Sequence, residues 1–212
     1  MLKSVNKVTK ILIVGDFFLN SAWGLLGPVY ALFVVQRITG GDTALAAKVA
    51  GFAALCYWAV KSFLQIPIGK YLDKNHGEKD DFVFMILGVF LAGLVPFGFM
   101  LSFLAWHIFA LEIIHAIGMS MFIPSWYAIF TRHIDQGKEA FEWGLDSTSL
   151  GFGVGVTGAA GGVIAAIFGF NVIFILVGTI NMISVLLYLL IRKNLIPKDH
   201  IAPHKLPPSW SF

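Results

Sequence analysis

The sequence predicts an all-α membrane protein of six transmembrane helices, and three observations predict it. Apolar residues make up 58% of the 212-residue chain and charged residues only 13%. That balance leaves too little polar surface for a domain bathed in water. Six stretches each reach the roughly 20 apolar residues that a hydrocarbon core of about 30 Å demands. None of the six alternates with period two, so helices fit and a barrel does not.

The first span, residues 11–36, follows Lys3, Lys7 and Lys10 in the manner of a signal peptide. Its apolar run is too long and no small-residue cleavage site follows, so it is read as a membrane helix. Gly40-Gly41-Asp42 supplies the first turn. The second span, residues 45–72, carries Lys61 and qualifies on length as well as on purity. The third and fourth, residues 82–104 and 106–130, meet in a tight turn from Ala105 to His107. Gly169-Phe170-Asn171 joins the fifth, residues 141–168, to the sixth, residues 172–191. Residues 1–10 form a short N-terminal segment, 11–193 one six-helix domain, and 194–212 a Pro-rich polar tail expected to be flexible.

The charges give an orientation. Lys3, Lys7, Lys10, Lys70, Lys74, Lys79, Arg132, Lys138, Arg192, Lys193, Lys198 and Lys205 fall on one side of a six-helix chain. Arg37 and Lys48 are the basic residues left for the other. Cytoplasmic loops collect Lys and Arg, so both termini are expected in the cytoplasm of a cell-membrane protein. Basic loops facing anionic lipid explain the pI of about 9.0 without nucleic acid as a partner. The lone cysteine, Cys56, lies within a span, so no intrachain disulfide is possible and no metal site is expected. No nucleotide-binding loop occurs, and no cofactor is expected.

Ionisable residues inside spans cost at least about 2.5–3.5 kcal/mol each and turn toward protein or a watery cavity. Here they are Asp16 in span one, Lys61 in span two, Glu112 and His115 in span four, and Glu142 and Asp146 in span five. Spans three and six carry none, so they are expected to face lipid. Asp16, Asn20, Trp23, Gly27 and Tyr30 lie along one helical face, with Pro28 placed to kink or open the helix beside it. Glu112 and His115 share a face that Met119, Phe122 and Trp126 continue. In span five, Glu142, Asp146, Ser149, Gly153, Thr157 and Ala160 align.

Each of these admits two readings. Asp16 is a proton or cation site, or a carboxylate reaching the cytoplasmic interface. The Glu112–His115 pair holds a transferable proton near neutral pH, or only joins helices. Lys61 meets an anionic substrate or a carboxylate, or extends its stem to the interface. Trp23, Tyr30 and Trp126 stack on a substrate or simply pack. Glu142 and Asp146 stand near the start of their helix, where acidic side chains offset the dipole.

Gly69-Lys-Tyr-Leu-Asp73-Lys74, followed by Gly77 and Lys79, resembles the loop between helices 2 and 3 of the major facilitator superfamily. Two residues separate Lys74 from Gly77 where that pattern has one. Thr157-Gly158-Ala-Ala-Gly161-Gly162 is similar to the superfamily's Gly-Pro-x-x-Gly-Gly element, with Thr157-Gly158 in place of Gly-Pro. The arginine often found before a glycine in helix 4 is absent; Ile114 stands at that spacing before Gly118, beside His115.

The resemblance implies one half of a twelve-helix transporter, with helices 1 and 4 lining a cavity, 2 and 5 forming the seam between halves, and 3 and 6 facing lipid. It makes Gly69, Asp73, Lys74, Gly77 and Lys79 a cytoplasmic gate, and Gly153, Thr157, Gly158, Gly161 and Gly162 part of the seam. Asp16, Asn20, Trp23, Tyr30, Lys61, Glu112, His115 and Trp126 become candidates for coupling or substrate contact. The expected function is secondary transport of a small solute by alternating access, as a parallel homodimer and with proton coupling as an option. Alternatives are pairing with a different six-helix half, and a non-transporting scaffold or sensor. An intramembrane protease is disfavoured, because Ser120 and His115, five residues apart, do not face each other on a helix.

Overall fold

The computed structural model describes residues 5–75 and 77–195. Lys3, His76, Lys198, Lys205 and the tail from residue 196 lie outside the described residues. Six helices account for nearly all the rest: α1 (Lys7–Phe33), α2 (Thr43–Asn75), α3 (Glu78–Met100), α4 (Ala105–His133), α5 (Glu139–Phe168) and α6 (Phe170–Leu189). All six are long and apolar enough to cross a membrane.

Local chemistry sets the ends. The Asn6 side chain accepts a hydrogen bond from the Thr9 amide at 2.9 Å, so α1 starts at Lys7, one turn before the apolar run. Asp42 caps the next helix in the same way, accepting from the Leu45 amide at 2.9 Å. α1 continues through Pro28 and gives way to a π-helical turn at Val34–Ile38. The turn expected at residues 105–107 lies earlier, because α4 already begins at Ala105. Gly169, at φ +79°, alone separates α5 from α6, a conformation that a side chain would strain.

The helices form an open arc. α5 packs on α1, α1 on α6, α6 on α3, α3 on α4, and α4 on α2. The two ends of the arc, α2 and α5, have only 17% and 11% of their most apolar stretches buried, against 50% in α1 and α3 and 44% in α6. α3 and α6 therefore pack closely inside the arc. Each keeps one apolar stripe outward, such as Val83, Leu87, Phe90 and Leu94 on α3. Lipid is as apolar as leucine, so close packing holds the arc together. Gly88 and Gly118 let α3 and α4 touch backbone to backbone, and Phe33, Phe99 and Phe174 interlock among α1, α3 and α6.

α3 also corrects the expectation that its span carries no ionisable group. It begins at Glu78, and Glu78 and Asp81 are both fully buried in its first turn. His133 and Arg132, from the last turn of α4, meet them: His133 Nε2 lies 3.0 Å from Glu78, and the Arg132 guanidinium bonds Asp81. The His133 carbonyl in turn accepts from Asn6 and from the Thr9 hydroxyl. The start of α1, the start of α3 and the end of α4 are thereby tied at one end of the bundle.

Candidate functional site: two cavities on one polar stripe

The polar face of α1 opens into the hollow of the arc, and it serves two cavities rather than one. Nearer the C-terminal end of α1, Trp23, Leu26, Gly27, Tyr30, Tyr57, Glu112 and His115 line an open cavity of about 250 Å³. Nearer its N-terminal end, Asp16, Asn20, Met119, Phe122, Trp126, Tyr127, Trp143, Asp146 and Ser147 line about 340 Å³. The α4 face divides in the same way, with Glu112 and His115 in the first cavity and Met119, Phe122 and Trp126 in the second.

The first cavity is built around His115. Its Nδ1 lies 3.4 Å from Glu112, one helical turn earlier, and each side chain retains slight exposure to the cavity. Trp23 stacks on the imidazole with centroids 4.1 Å apart, and Tyr57 leans against it at 4.8 Å. The Tyr30 hydroxyl stands next to Glu112. Lys61 lies at the edge, its ammonium 4.5 Å from the Trp58 ring centroid and 5.6 Å from that of Tyr57. It forms no ion pair among the described residues. Such a site offers a flat aromatic surface together with a carboxylate and an imidazole that can exchange a proton.

The second cavity brings Asp146 to Asp16. Both are more than nine-tenths buried, and each lies in the other's electrostatic field. Asn20 donates to the Asp16 carbonyl at 3.0 Å, which fixes its amide on the same wall. Ser120 is buried elsewhere and donates to the Ile117 carbonyl at 2.7 Å, so it is not paired with His115 as a nucleophile would be with its base.

Comparison with known sequences decides the lineage. The profile described as Major Facilitator Superfamily matches residues 12–210. The chain belongs to the major facilitator superfamily. This is a superfamily of multi-pass membrane transport proteins rather than enzymes. One curated relative, the "Multi-drug resistance efflux pump PmrA homolog" of Lactococcus lactis subsp. lactis (strain IL1403), is 26% identical over 188 residues. The match covers 87% of this chain and 44% of the relative, so the chain spans less than half the relative's length.

The superfamily's loop motif is mostly helical here. Gly69, Asp73 and Lys74 lie on the last turns of α2, and Gly77 is the extended residue before α3. Gly69 faces Pro124 of α4, while Asp73, Lys74 and Lys79 are exposed. In α4, Ile114 is 41% exposed, whereas His115 lines the first cavity. The helix 5 glycines depart from the expected seam. A Cβ on Gly153 would meet Phe17 and Ser21, and one on Gly161 would collide with the Leu25 carbonyl. Thr157 lies against Gly24, and Gly158 faces the Gly24 carbonyl. These four pack on α1 of the same chain, because that close crossing excludes side chains; Gly162 meets nothing within 4 Å.

One contributor escaped the sequence, and so did the partner of another. Tyr57 precedes Lys61 by four residues, the spacing that places both on one face of α2. Asp146 stands on the α5 face shared with Gly153 and Thr157, but the neighbour it would meet is not written in that spacing.

Proposed function

We propose that this chain is one six-helix half of a secondary transporter that moves a small amphipathic solute by alternating access. The observation that carries the reading is the first cavity, where Trp23, Tyr30, Tyr57, Glu112 and His115 converge on the open side of the arc. Glu112 and His115 are its proton-exchanging pair, and Trp23 and Tyr57 hold the solute. The Lactococcus relative, a multi-drug resistance efflux pump homolog, supports outward movement of chemically varied solutes. The cytoplasmic side carries the termini and the gate residues Gly69, Asp73, Lys74, Gly77 and Lys79.

A hollow open along one side needs a second half. The outward faces of α2 and α5 supply the surface, with Phe52, Leu55, Trp58, Phe63 and Ile66 exposed on α2 and Phe152, Val156, Val163 and Ile167 on α5. A second copy, related by a two-fold axis along the membrane normal, places α2 of one protomer on α5 of its partner. A different six-helix half on the same surface is the variant, and the mass of the particle separates the two.

Transport is tested by expressing the chain in drug-hypersensitive cells against a panel of amphipathic antimicrobials. Reduced accumulation of at least one compound, abolished by Glu112→Gln at equal protein level, is expected. Unchanged accumulation across the panel, with folded protein in the membrane, contradicts the reading.

A further inference from the structure

Glu78 and Asp81, buried at the start of α3, each have a basic partner, but Asp16 and Asp146 have none. Neither forms an ion pair among the described residues, and no Lys, Arg or His lines their cavity. The Oδ1 atom of Asp146, on a side chain more than nine-tenths buried, has no hydrogen-bond partner. The Tyr188 hydroxyl of α6, which lies in the field of both carboxylates, carries no positive charge. Two carboxyl groups in so dry a place cannot both stay charged without a proton or a counter-cation to compensate them.

The shape of the cavity says what kind. About 340 Å³ is far more than a bare metal ion fills, and no group of three or more metal-binding side chains occurs among the described residues. The walls are the rings of Trp126, Tyr127 and Trp143, mutually edge-on or tilted at 5.6–6.1 Å. Aromatic faces attract cations, and a carboxylate beside them neutralises the charge. Asn20 and Ser147 add polar contacts.

We propose that the cavity between Asp16 and Asp146 binds a monovalent organic cation with an aromatic or apolar body. Asp146 is then a ligand residue rather than a helix-dipole carboxylate, and the site is separate from the Glu112–His115 cavity. This deepens the transporter reading and rests on it for its role, though not for its chemistry.

The test is equilibrium dialysis of radiolabelled phenyltrimethylammonium against the full chain in nanodiscs, with its neutral isostere tert-butylbenzene as control. Saturable binding of the cation alone is expected, weakened about tenfold or more by Asp16→Asn and by Asp146→Asn. Glu112→Gln should leave it within about twofold. Trp143→Leu, at the mouth of the cavity, should also weaken it and serves if an Asn variant does not fold. Binding that is not saturable, that is matched by tert-butylbenzene, or that survives all the cavity variants overturns the proposal. Saturable binding with no flux of any solute in proteoliposomes leaves the site standing and overturns the transporter reading. Flux of other solutes without cation binding does the reverse.

Discussion

Trp23 of α1 lies flat on His115 of α4, ring centroids 4.1 Å apart and planes 11° from parallel. The stack bridges the two helices that border the hollow and holds the imidazole where Glu112 reaches its Nδ1. One aromatic contact thus orders both the solute surface and the proton-exchanging pair of the proposed transporter.

Removing that surface should weaken solute binding more than turnover. Aromatic pairs contribute about 0.5–1.5 kcal/mol beyond burial. Trp23→Leu is therefore expected to raise the half-saturating solute concentration by roughly two- to tenfold, while Trp23→Phe recovers part of the loss. The concentration dependence of transport for the two variants checks this.

Glu112 is predicted to matter by charge rather than by shape. Glu112→Gln keeps the volume and a hydrogen-bonding side chain beside His115, so thermal stability should change little. Coupled transport should fall by at least about tenfold, since a proton carrier contributes on that scale or above. Measuring unfolding temperature and flux on the same preparation separates the two effects.

The Asp81–Arg132 pair should prove structural. Asp81 is fully buried and Arg132 keeps 23% exposure. Arg132→Ala leaves the carboxylate without its counter-charge and is expected to cost about 3 kcal/mol, the lower end of the range for a broken buried pair because the arginine edge is wet. The double variant Asp81→Asn/Arg132→Gln should regain much of that loss. Thermal unfolding in detergent gives the comparison, and equal stability of all three proteins contradicts it.

Much of this architecture is legible in the chain. Hydropathy and length set out six helices, and the spacing of Asp16, Asn20, Trp23, Gly27 and Tyr30 marks the α1 face that lines the hollow. Periodicity tells which side chains share a face, but not which neighbour that face meets. Gly153 and Gly161 therefore read as a seam between halves, while in the fold they admit α1. Asp146 read as a helix-start carboxylate for the same reason, until α1 brought Asp16 beside it. Glu78 and Asp81 were hidden differently. A search for apolar runs begins at Phe82, although the acidic first turn belongs to the helix and is met by Arg132 and His133 from the antiparallel neighbour.

The two classes of α5 glycine should behave oppositely. Gly161→Ala forces a Cβ into the Leu25 carbonyl and is expected to destabilise the single chain by about 1–3 kcal/mol. Gly155 has no atom within 4 Å of its Cβ position and lies on the exposed face. Gly155→Trp should leave the helical fold intact and weaken association of the chains. Unfolding temperature reports the first effect and particle mass the second.

The central claim is that this open six-helix arc becomes a transporter only with a second half, here a second copy. The most direct test is the mass of the purified chain in lipid nanodiscs with no other protein added. The account predicts a particle of two chains, reduced to one by Gly155→Trp. A particle of one chain, across the concentrations at which transport is observed, contradicts it.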